Sequence, residues 1–225
     1  MIFTTTTHLS EKKGFTFVEL VVVIFIFSIL LTGAIDIFVQ AQRAQRKVAA
    51  LEKLQDDARF LMQTITQSFQ LGSLDFDCYQ RPEKDKALNL GLCGDSIDTL
   101  EGNGILGIKT FEGKTILFAH SSLIGEGQGK CIDEESAPCV MVAEVSSAGE
   151  PSWTPASSQG VRVETLQFYL SPDKNPFVLN DQNEYISNAQ PRVTVVFGAT
   201  AQIKRFKETA KTFVQTTISS REYKR

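Results

Sequence analysis

The chain has 225 residues, 42% of them hydrophobic and 22% charged, with a formal net charge of −3. That length accommodates one globular domain of ordinary size plus a short extra segment, and the apolar share is enough for a core. The slightly acidic balance argues against a broadly basic nucleic-acid-binding domain, although it leaves room for a local basic patch.

Residues 1–14 read as a leader. Thr4 to Thr7 are polar, and Lys12 and Lys13 place this end on the cytoplasmic side of a membrane. The leader has no long apolar region of its own. No small-residue cleavage site follows the hydrophobic run, as it would after a secretory signal peptide. Residues 15–35 are apolar except for Thr16, Glu19, Ser28, Thr32 and Gly33. As a helix they cover about 31 Å, the thickness of one bilayer core. Asp36 ends the span. Glu19 is the exception inside it. A carboxylate at a bilayer centre costs about 2.5–3.5 kcal/mol even on lenient scales, which makes it a functional candidate.

The helix is expected to continue past the membrane. Residues 38–71 contain no proline or glycine and are dominated by good helix formers. Val48, Leu51, Ala58, Met62, Ile65 and Phe69 recur at helical spacing and form an apolar stripe expected to pack on a sheet. Gly72 is a natural stop. The expected helix has about 55 residues and a length of roughly 80 Å.

Residues 73–114 are punctuated by glycines and Pro82 and read as loop-rich, with a short strand near 105–111. Thr115–His120 and 139–145 read as strands, and 146–160, with Pro151 and Pro155, as a loop. Val161, Val163, Leu166, Phe168 and Leu170 alternate as a long strand with a bulge near Thr165. A loop over 171–191 precedes a strand at 192–199. A charged hairpin excursion over 201–211 then leads to a last strand at 212–220. Consecutive strands after a helix predict an antiparallel sheet packed on that helix, an α+β arrangement.

The four cysteines, Cys78, Cys93, Cys131 and Cys139, all lie beyond the apolar run. Their spacing is not that of a zinc ribbon. An even number outside a membrane anchor suggests disulfides in an oxidising compartment. The simplest connectivity is 78–93 with 131–139, one of three pairings open to four cysteines. Closing a loop of about fifteen residues is worth roughly 3 kcal/mol in the chain-entropy treatment.

The stretch Lys12-Lys13-Gly14-Phe15-Thr16-Phe17-Val18-Glu19-Leu20, with the apolar run that follows, resembles the processing site of type IV prepilins and of the related pseudopilins of type II secretion. Gly14, Phe15 and Glu19 match that pattern position by position. The resemblance implies cleavage after Gly14 by a prepilin peptidase/methyltransferase and N-methylation of Phe15. It also implies a pilin-like fold. Glu19 would pair with the amino terminus of a neighbouring subunit, because a charge left unpaired in a low dielectric carries its full desolvation penalty.

The implied division is a leader at 1–14, a transmembrane and filament-core helix at 15–36, its amphipathic continuation at 37–72, and an extracytoplasmic β-rich domain at 73–225. The implied partners are other pilins or pseudopilins, an inner-membrane assembly platform, and membrane lipid before assembly. The implied location is the bacterial inner membrane, with the amino terminus in the cytoplasm, and then a filament. The end of the chain, Thr216-Thr217-Ile218-Ser219-Ser220-Arg221, resembles the terminal strand of minor pilins of the W type and J-type minor pseudopilins. No proline stands near Asp36, where many major pilins have one.

The alternative functions are a tip adhesin or a DNA-uptake pilin, which leaves nucleic acid open as a partner, and an anchored enzyme. His8 lies in the leader, so His120 would be the sole histidine of the mature chain. No serine sits in a Gly-x-Ser-x-Gly setting. Asp75 with Asp77, and Asp133 with Glu134 and Glu135, lack the spacing of a calcium loop and read as solvated acidic loops. Trp153 reads as a loop anchor in preference to an exposed recognition residue. These features point to a structural subunit that needs no cofactor or metal.

Overall fold

The structure, a computed structural model, describes residues 14–79, 93–94, 96–125, 129–133, 137–145, 151–179, 183, 185, 187, 189–203 and 208–220. One helix, α1, runs over Phe17–Leu71. It crosses the boundary between the two compact units of the chain, the first ending at Gln45 and the second beginning at Arg46.

In the first unit the apolar side chains from Phe17 to Phe38 are 49–80% exposed all round the helix. The described residues hold one helix long and apolar enough to cross a membrane, with a mean hydropathy of 2.7 over its most apolar stretch. The hydroxyls in that stretch turn back on the helix. Ser28 Oγ donates to Ile24 O at 2.7 Å, and Thr32 Oγ1 to Ser28 O at 2.8 Å. The polar groups are thereby satisfied internally, as an apolar surrounding requires.

In the second unit the helix buries Leu54, Ala58, Leu61, Ile65 and Phe69. This corrects the expected stripe. Leu54 and Leu61 replace Leu51 and Met62, which are only partly buried, and Val48 is exposed. Phe69 is followed within one turn by Gly72, where β1 (Gly72–Leu74) begins. This glycine does not end the helix through a left-handed cap. A Cβ there would lie 2.6 Å from Lys109 O, so close approach to the next strand demands it.

After a 3-10 turn at Phe76–Tyr79 come β2 (Ile105–Thr110), β3 (Thr115–His120), β4 (Val140–Val145) and β5 (Ser152–Pro155). Three long strands follow: β6 (Val161–Ser171), β7 (Arg192–Ile203) and β8 (Glu208–Ser219). They form two antiparallel sheets where the sequence led us to expect one. The order is β1-β2-β3-β4-β5 in the first and β6-β7-β8 in the second. Both contribute to one core with the helix: Leu106, Ile108, Leu117 and Phe118 from the first, and Val163, Phe168, Val195 and Phe197 from the second.

The edge of β6 is held to the first sheet by a few polar groups. Asn103 and Phe168 exchange backbone hydrogen bonds at 2.8 and 2.9 Å, and Val163 N donates to Pro138 O at 2.8 Å. His120 adds an Nε2 contact to Val163 O at 3.1 Å and an Nδ1 contact to Ser122 Oγ at 2.6 Å. With Nε2–H donating to the carbonyl, Nδ1 accepts from the serine, so this histidine is a staple between sheets. On the helix, Asp57 Oδ2 accepts from Ser158 N at 2.9 Å and from Ser158 Oγ at 2.8 Å, and Lys53 donates to Gln159 O.

Several expectations need correction. The loop expected over 146–160 contains β5, in which Trp153 faces Ala143 and packs half-buried against the core. Asp75 is not in a solvated loop. It is buried, with Thr115 Oγ1 donating to its Oδ2 at 2.7 Å. Asp77 does lie exposed, 3.6 Å from Lys109. At the two ends of the expected hairpin excursion, 201–203 and 208–211 extend the β7–β8 ladder, with Ile203 opposite Glu208, and 204–207 lie outside the described residues. Glu134 and Glu135, and residues 1–13 of the leader with His8, lie outside the described residues.

Candidate functional site

Gly14, Phe15 and Thr16 precede α1 without helical structure. Gly14 is exposed, and a Cβ built on it would meet nothing within 4 Å. Phe15 is 79% exposed.

The helix starts because Thr16 caps it. Glu19 N donates to Thr16 Oγ1 at 3.3 Å, and Leu20 N donates to Thr16 O at 3.2 Å in the first helical turn. Thr16 is thus the N-cap and Glu19 the third helical residue, the Thr-x-x-Glu pattern of a capping box. Glu19 is the acidic residue of the first turn, where the helix dipole favours negative charge. The sequence reading missed this local role, although the Thr-x-x-Glu spacing carries it. The structure brings Gly14, Phe15 and Glu19 together at one helix start.

The cysteines form a separate constellation. Cys78 bonds to Cys93, and Cys131 to Cys139, with separations of 15 and 8 residues. The first disulfide lies on β2 where Gly107 leaves room. A Cβ at Gly107 would stand 2.7 Å from Cys93 Sγ and 3.1 Å from Cys78 Sγ. Beside it, Tyr79 takes the place of a continued β1. Its hydroxyl donates to Ile105 O at 2.9 Å and accepts from Gly107 N at 3.2 Å, on the β2 edge that β1 has left.

Burial of Tyr79 pushes its phenol well above the usual tyrosine range, and the nearby Asp75 carboxylate adds to the rise. The neutral form is therefore the one the fold holds. Its contribution is complete below pH 10, the ordinary phenol value, and is lost as pH rises beyond it. Tyr79→Phe should cost about 1–3 kcal/mol by stranding both backbone groups. Unfolding followed between pH 8 and 11 should show parent and variant converging at the alkaline end. Parallel curves would refute the role of the hydroxyl.

Among the described residues no group of three or more histidine, cysteine or acidic side chains is placed to hold a metal. In comparison with known proteins, residues 9–35 match the family described as prokaryotic N-terminal methylation motif. The chain carries a prepilin-type N-terminal methylation motif. The match covers Gly14, Phe15, the Thr16 cap, Glu19 and nearly the whole bare apolar run. A motif of this type implies processing by a prepilin peptidase and assembly with other pilins. The apolar helix beside it suggests membrane anchoring. No curated protein and no solved structure matches the chain.

Proposed function

We propose that this protein is a structural subunit, a minor pilin or pseudopilin, of a type IV pilus or a type II secretion-like filament. It is made with residues 1–14 as a leader and inserted once through the inner membrane, with the amino terminus in the cytoplasm and residues 73–225 outside. The peptidase cuts after Gly14 and methylates Phe15. The mature helix then leaves lipid to pack among the helices of other subunits, on the assembly platform. Glu19 pairs there with a neighbouring amino terminus. The domain performs no catalysis.

The observation that carries this reading is the methylation motif at 9–35, placed at the start of a helix whose apolar side chains lie bare. An apolar surface of that extent needs a cover, and lipid followed by sister helices supplies one at each stage. The disulfide-bonded elaborations of the domain favour a minor over a major subunit.

Intact mass and amino-terminal analysis of the membrane-extracted protein, from cells with and without the peptidase, tests the processing. The expected product is residues 15–225 bearing one methyl group on Phe15, seen only with the peptidase. An uncut chain in both strains, or a chain cut beyond the apolar run, would end the filament reading.

A further inference from the structure

The outer face of the three-stranded sheet carries a cleft of about 360 Å³ that none of the roles above uses. Strand register builds it. Tyr169 on β6 stands opposite Thr194 on β7, and Thr194 opposite Thr217 on β8. Two cross-strand pairs along, and so on the same face, Ser171 stands opposite Arg192. The alternate residues Phe168, Val193, Val195 and Ile218 are buried in the core, so the polar residues of the cleft project from the other face. Thr99, from the segment before β2, supplies a wall.

That wall is fixed in place. Asp98 Oδ1 accepts from Leu100 N and Glu101 N, each at 2.8 Å, and these bonds hold the Asp98 carboxyl below the usual range. Asn103 closes the segment. Its Oδ1 accepts from Asp98 N at 3.1 Å, its Nδ2 donates to Asp98 O at 3.0 Å, and its backbone pairs with Phe168. Gly102, at φ +82°, lies on the Tyr169 ring, where a Cβ would come within 3.1 Å. The cleft is therefore preorganised.

Its chemistry is specific. Five hydroxyl-bearing side chains, one guanidinium and Leu170 line it, with no carboxylate among the lining residues. Thr194 Oγ1 and Thr217 Oγ1 are 2.8 Å apart. One donates to the other, whose own proton is left for a ligand oxygen. The Tyr169 hydroxyl donates to Gln167 Oε1 at 3.1 Å, which leaves its oxygen to accept. Lys109, Lys114 and Lys211 each lie within 4 Å of a carboxylate, Asp77, Glu144 and Glu164 respectively. Arg192 has no such partner among the described residues. A guanidinium suits a planar carboxylate in two-pronged contact, and the hydroxyl row suits the alcohols of a sugar ring. The volume is at the small end for ligand pockets, which fits one ring and not a chain.

We infer that this cleft binds a sugar acid, with the carboxylate on Arg192 and the ring hydroxyls on Tyr169, Thr194 and Thr217. The inference stands independently of the filament reading. The test is a titration of the purified full-length protein, in a detergent without a sugar headgroup, with glucuronate, glucose and inorganic phosphate. Glucuronate should bind at least about tenfold more tightly than glucose, the ratio one charged contact supplies. Arg192→Gln should remove that preference, and Thr194→Val should weaken both sugars, with circular dichroism unchanged in each variant. Three results would overturn the assignment. One is no saturable binding of either sugar, and another is an unchanged glucuronate affinity in Arg192→Gln. The third is phosphate binding as tightly as glucuronate and insensitive to Thr194→Val, which would reduce the cleft to a bare arginine.

Discussion

Phe69→Ala should lower the unfolding free energy by about 3–5 kcal/mol, the usual cost of emptying a buried phenylalanine site. A domain of this kind has only about 5–15 kcal/mol to lose. Phe69 is fully buried in the last turns of α1, where the helix meets both sheets in one core. The same helix carries an internal control. Phe60 is 59% exposed, so Phe60→Ala should change stability by no more than about 0.5 kcal/mol. Urea unfolding of the full-length protein can be followed by the fluorescence of Trp153, the single tryptophan, which packs half-buried against that core. Equal costs at the two positions would mean that the helix does not present this face to the sheets.

The contrast between Phe69 and Phe60 shows where sequence periodicity stops being decisive. Helix extent was legible: good helix formers without proline or glycine ran to Leu71, and the helix ends there. The buried face was legible only in part. Ala58, Ile65 and Phe69 are common to two stripes, one through Leu54 and Leu61 and the other through Leu51 and Met62. Spacings of three and four residues fit both. Val48 stands about 100° round the helix from Ile65 and belongs to neither core nor sheet. Only the position of the strands chooses between the stripes.

The strands divide in the same way. Thr115–His120 and the bulged Val161–Ser171 announce themselves through β-branched and aromatic alternation. Gly72–Leu74 and Ser152–Pro155 are too short to show a period, and each becomes a strand because a neighbour offers an edge. The ends of β7 and β8 were read short because Ala201 and Ala210 carry little strand preference of their own, yet both are buried. That two sheets form where one was expected follows from which strands ladder together, β1 to β5 in one and β6 to β8 in the other, a choice among distant edges that no local pattern encodes. At the amino terminus the signal is local, so the motif that spans Gly14, Phe15 and Glu19 was readable directly. Reading Glu19 only as a functional charge hid its place in the Thr16 cap.

That second role sharpens the last prediction. Under the proposed function, Glu19→Ala should leave membrane insertion and cleavage after Gly14 intact while incorporation into filaments collapses. Removing one member of a buried ion pair costs about 3–5 kcal/mol, because the other charge is left uncompensated. Each 1.4 kcal/mol is about a factor of ten in an equilibrium constant, so incorporation should fall by roughly two to four orders of magnitude. Alanine alone cannot separate the pairing role from the capping role, since it removes both. Glu19→Gln can. Glutamine serves at the third position of a capping box as glutamate does, but it carries no charge for an incoming amine. If pairing between subunits drives assembly, the glutamine variant fails as alanine does, while its cleaved form accumulates in the membrane. If it assembles as the parent does, Glu19 is a helix cap, and the charge-pairing step falls.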